Sequence, residues 1–74
     1  MTAVSYVVYI YAPSGKLIFH DVFDTEEAAN AQVKAFVSDA KGLNTMLRAM
    51  NETQSFVNVR IGAYGSKTFI LPIE

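Results

Sequence analysis

The sequence contains no cysteine and a single histidine. Those two shortages exclude a disulfide framework and leave no ligand set for a metal cage of the usual Cys/His type. An excess of positive charge is missing too. Six Lys and Arg stand against seven Asp and Glu, for a net charge of −1, and Lys16, Lys34, Lys41, Arg48, Arg60 and Lys67 are scattered along the chain. A nucleic-acid binder concentrates its positive charge to displace counterions, so a nucleic-acid partner is disfavoured. Nor is there an apolar run of membrane-spanning length. "MTAVSYVVYIYAP" lacks a basic leader, is interrupted by tyrosines and ends at Pro13; it falls short of the roughly 20 apolar residues that a helix needs to cross a bilayer. It reads instead as a first β-strand, and a cytoplasmic protein with no membrane role is expected.

What is present is mostly apolar. Hydrophobic residues make up 51% of the 74 positions, too many for a disordered chain and enough for one domain spanning residues 1–74. A core this small is marginal by itself, so self-association is a natural source of added stability.

"SYVVYIY", 5–11, is β-branched or aromatic almost throughout, the composition of a strand. Pro13 presets φ and Gly15 permits positive φ in the turn that follows. "LIFHDVF", 17–23, is the returning strand. From Asp24 the apolar period changes from two to 3.6 residues. Asp24 or Thr25 can cap the new helix, with Glu27 placed three residues after Asp24 as in a capping box. Ala29, Val33, Phe36 and Ala40 line one face. After "NETQ", 51–54, the period returns to two: "FVNVRIGAY" and "KTFILPI" form a second hairpin, with Gly65 as the first central residue of a type II′ turn. Pro72 cannot donate to a ladder, which puts the last strand at an edge. The expected fold class is α+β: two layers, with a four-stranded antiparallel sheet in ββ-α-ββ order and a broken helix, or two short ones, on one face.

The helical stripe continues through Gly42 to Leu43, Met46, Leu47 and Met50. One helix from 25 to 51 would be about 40 Å long, while strands of seven or eight residues cover about 25 Å. A break at Gly42, with Asn44 or Thr45 capping a second helix, avoids leaving those side chains in water. The alternative is a continuous helix whose distal half packs on another molecule. In that form Leu43, Met46, Leu47 and Met50 make the candidate dimer seam.

No catalytic cluster emerges. His20 and Asp21 are neighbours in a strand and point to opposite faces. Glu26, Glu27 and Asp24 are explained by the helix cap, and Asp21, Asp39 and Glu52 are unclustered. No cofactor and no enzymatic activity are expected. The first hairpin is apolar on both faces, whereas a sheet covered on one side alternates cleanly. A cover for its outer face is therefore expected, from the second helix, from the chain's ends or from a partner. Tyrosine-rich surfaces suit protein contacts, because a rigid amphipathic ring buries area at little entropic cost. The candidate binding surface is Tyr9, Tyr11, His20, Arg60 and Tyr64, and the expected function is that of a non-enzymatic, self-associating protein-binding module. A small-ligand pocket around His20 and an RNA-binding sheet using Tyr9, Tyr11 and Arg60 are the alternatives.

Two stretches resemble known families. "VNVRIGAYGSK", 57–67, is similar to the strand and turn of peptidoglycan-binding SPOR repeats, which lie outside the cytoplasm and continue into a helix where this sequence has a strand. Gly15–Lys16, Phe23–Asp24–Thr25, Gly42–Leu43 and Ala49–Met50–Asn51–Glu52 resemble, in order and approximate spacing, a stretch of a small phage-encoded anti-CRISPR protein. That resemblance implies an inhibitor that occludes a larger host complex such as a CRISPR effector. It ends at residue 52, before the second hairpin, and assigns no functional residues.

Overall fold

The computed structural model describes residues 4–73. Two hairpins, β1 (Tyr6–Tyr11) with β2 (Leu17–Phe23) and β3 (Phe56–Ala63) with β4 (Lys67–Pro72), flank α1 (Glu26–Val37) and α2 (Ala40–Ala49). The sheet is antiparallel throughout, in the order β2-β1-β3-β4. The two hairpins therefore join through β1 and β3, and β2 and β4 are the edges, β4 in the place that Pro72 required.

Alternation decides which side of the sheet the helices cover. Val8 and Ile10 of β1 lie opposite Ile61 and Val59 of β3. These four, with Val57, are almost fully removed from water. Ala29 and Val33 of α1 and Leu43 and Leu47 of α2 belong to the same buried cluster, so both helices cover one face. Burying each such side chain is worth about 1.5–3 kcal/mol. No polar side chain is buried among the described residues.

The helix does break, but not at glycine. Thr25, not Asp24, caps α1, its hydroxyl accepting the Ala28 N–H at 3.1 Å. At the other end the Ser38 hydroxyl donates to the Ala35 carbonyl at 2.7 Å. Asp39, in place of Asn44 or Thr45, then caps α2: its carboxylate accepts the Gly42 N–H at 3.0 Å. Gly42 thus lies in the first turn of α2. Its lack of a side chain makes room for the cap, since a Cβ there would sit 2.9 Å from Asp39 Cγ. An aspartate with three free N–H groups ahead of it is a stronger start signal than a lone glycine is a stop.

The β1–β2 register is irregular. Between Ile10 and Tyr11 the β1–β2 pairing shifts, so Tyr11 faces Leu17 while Ile10 faces Phe19. Ile18 packs against the core and Leu17 moves to the outer face, the reverse of a simple alternation through β2. One inserted residue produces this inversion. The β3–β4 turn also differs. Tyr64 and Gly65 both have positive φ, 56° and 70°, and Ser66 N–H donates to the Ala63 carbonyl. Two positive-φ central residues make a type I′ turn, whose twist matches the strands it joins.

Candidate functional site

On the side of the sheet away from the helices, register brings side chains from four strands into rows. One row runs His20, Tyr9, Arg60, Thr68 across β2, β1, β3 and β4. The next runs Leu17, Tyr11, Asn58, Ile70. Four of the five residues named from sequence are therefore neighbours. The Tyr9 ring stacks on Tyr11 with centroids 6.4 Å apart and on His20 at 6.3 Å. The Arg60 Nε donates to the Gly65 carbonyl at 2.8 Å. That bond ties the guanidinium to the β3–β4 turn through Nε, leaving the terminal nitrogens for an acceptor. These two rows contain no carboxylate, and their charged or ionisable members beside the tyrosines are His20 and Arg60.

Tyr64 stands apart, at the tip of the β3–β4 turn, 66% exposed. Its φ of 56° is a conformation that Gly and Asn adopt readily and a bulky ring does not. The outer face carries more apolar surface than the five chosen residues. Val22 and Ile70 are exposed to 60% and 63%, and an open depression of about 600 Å³ lies between Tyr11, Asn58, Arg60, Thr68 and Ile70. The alternation of "KTFILPI" already separated Thr68 and Ile70 from Phe69 and Leu71, but placing Ile70 beside Tyr11 needed the β1–β3 pairing.

The proposed dimer seam fares differently. Leu43 and Leu47 are buried within the chain, and Met46 and Met50 pack half-buried against the same cluster. The break after Val37 lets α2 deliver this stripe to its own sheet, so it offers little to a second molecule. The expected cover for the outer face is not supplied by α2.

Chemistry is sparse. The Asp21 carboxylate accepts the Val22 N–H at 2.8 Å. Glu52, unclustered in sequence, accepts the Ser14 N–H at 3.0 Å and the Ser14 hydroxyl at 2.6 Å. Both its oxygens are engaged in clasping the first hairpin's turn to the segment after α2. Among the described residues no group of three His, Asp or Glu side chains is placed to hold a metal ion, and no helix is long and apolar enough to cross a membrane. No protein-family model, curated protein or solved structure matches the chain.

Proposed function

We propose that this chain is a non-enzymatic protein-binding module, and that its contact surface is the outer face of the sheet centred on Tyr9. The observation that carries this reading is the juxtaposition of Tyr9, Tyr11, His20 and Arg60 on the side opposite both helices. Rigid rings beside an arginine are the residue types that dominate protein interfaces. Exposed Val22, Leu17 and Ile70 extend the patch, and a contiguous apolar surface with a polar rim is the usual mark of a docking site. The complementary partner surface offers a carboxylate or main-chain carbonyl to Arg60 and an apolar area to the tyrosines.

The resemblance of residues 15–52 to a phage anti-CRISPR protein supports an inhibitory form of the same reading, in which the module works in the cytoplasm by covering a site on a larger host complex. Base stacking on Tyr9 and Tyr11 is the competing use of such a face. One arginine on the face gives little phosphate contact, which favours a protein.

Immobilised wild-type chain, Tyr9→Ala and a Lys41→Ala control on exposed α2 separate these readings. A protein retained by wild type and Lys41→Ala, and released by Tyr9→Ala in a folded variant, is the expected result. Equal retention by all three overturns the assignment of the face. A gel shift with single-stranded RNA at low salt that Tyr9→Ala abolishes would move the function to nucleic acid.

A further inference from the structure

The two edges of the sheet are unlike. β2 is guarded: its pairing is broken by the register shift opposite Ile10 and Tyr11, it carries His20 and Asp21, and Asp21 already engages the Val22 N–H. Interrupted register and charged side chains are the devices by which natural edges resist further pairing. β4 carries none of these between Thr68 and Leu71. Its one charged residue, Lys67, lies at the start of the strand and pairs with Glu26 of α1 at 3.6 Å.

The main-chain groups of β4 can be assigned by parity. Ile73 N–H donates to the Ser55 carbonyl, so the odd-numbered residues of this strand turn their N–H and C=O toward β3. Thr68 and Ile70 turn theirs outward, and Pro72 turns out its carbonyl alone. Beside this edge, on the helix side, α1 leaves a gap. A groove of about 410 Å³ runs between Val33, Lys34 and Val37 of α1 and Phe69 and Leu71 of β4. Phe69 is 43% exposed although it points to the helix-covered face.

We propose that β4 pairs with β4 of a second copy of this chain, antiparallel about a two-fold axis through Ile70. In that register Ile70 faces Ile70 of the second copy, each N–H donating to the other's carbonyl. Each Thr68 N–H donates to the opposing Pro72 carbonyl, so the missing proline N–H falls at the end of the ladder. On the helix side each Phe69 lies against the opposing Leu71 at the mouth of the groove. No charged residue of one strand faces a charge on the other. The product is one eight-stranded sheet with both outer faces on the same side. The two Tyr9 positions lie five strand spacings apart across the sheet and four residues apart along it, about 28 Å in all, which presents a bivalent surface to a repetitive or two-fold partner.

This inference goes beyond the outer-face reading and rests on the main-chain edge of β4; Ile70 borders both surfaces, so Tyr9→Ala and the amide exchange of Thr68 and Ile70 tell the two apart. Sedimentation of the full chain from micromolar to millimolar concentration should give a dimer. Ile70→Lys, at a position 63% exposed, places like charges face to face and should weaken the dimer at least about tenfold. Val22→Lys on the opposite edge and Tyr9→Ala should leave it intact. In the wild type, exchange of the Thr68 and Ile70 amide protons should slow as concentration rises, a readout that needs no variant. A monomer at every concentration, a Val22→Lys variant as impaired as Ile70→Lys, or concentration-independent exchange at Thr68 and Ile70 would each overturn the proposal.

Discussion

Gly42 and Asp39 occupy the same space in a way that a double-mutant cycle can read. Asp39→Ala removes the carboxylate that accepts the Gly42 N–H, and loss of such a cap costs about 1 kcal/mol. Gly42→Ala should gain up to about 1 kcal/mol from helix propensity. The new methyl, however, would lie 2.9 Å from Asp39 Cγ, so the carboxylate must swing off the helix end and the cap is lost. Gain and loss nearly cancel, and Gly42→Ala alone should be close to neutral. Once Asp39 is already alanine there is no cap to displace. Adding Gly42→Ala in that background should recover the full increment and bring the double variant near wild type. The coupling between the two sites is then about 1 kcal/mol, well above the few tenths typical of independent positions. Thermal unfolding followed by far-UV circular dichroism resolves it, because 1 kcal/mol moves Tm by about 4–8 °C in a domain of this size. Equal effects of Gly42→Ala in both backgrounds would show that the carboxylate does not lie over the glycine. Asp39→Asn, which keeps a capping oxygen, should retain most of the wild-type stability.

Other outcomes follow from single residues. Asn51 ends α2 with φ of 65°, its N–H donating to the Arg48 carbonyl and that of Glu52 to Leu47, the two bonds of a Schellman motif. Asn51→Gly should raise stability by roughly 0.5–1 kcal/mol, seen as a higher urea midpoint, and a lower midpoint refutes that account. Leu47, 1% exposed, should cost about 2–5 kcal/mol as alanine, comparable with the whole stability of a domain this small; a cooperative melt within a few degrees of wild type would contradict its place in the core. Tyr64→Asn should leave stability unchanged or raise it by up to about 1 kcal/mol, because asparagine tolerates positive φ. A clear loss on denaturation would mean that the exposed ring packs against the hairpin.

Much of the fold was readable because short-range patterns agreed with the final packing. The four strands, the Pro13–Gly15 turn and the edge position of β4 came from β-branched runs, turn residues and one proline. What escaped depended on partners far along the chain. The break fell at Ser38–Asp39 because a side-chain cap outcompeted Gly42, and the sequence offers both signals within four residues. The inversion of Leu17 and Ile18 follows from a pairing shift against β1 that no periodicity within β2 reveals. Glu52 gave no hint of Ser14, 38 residues away. The candidate surface lay between these cases. Alternation put Tyr9 and Tyr11 on one side of β1, but the meeting of that side with Arg60 belongs to the β1–β3 register.

That register has a bearing on how the chain matures. Tyr9 faces Arg60 across a seam between segments some fifty positions apart, and closing a loop of that size is slow beside forming either helix or either hairpin. During synthesis Tyr9, Tyr11 and His20 emerge early, yet they acquire their arginine neighbour only when β3 has left the ribosome and docked. A half-made molecule displays rings without the cation, so the assembled row exists only in the finished protein.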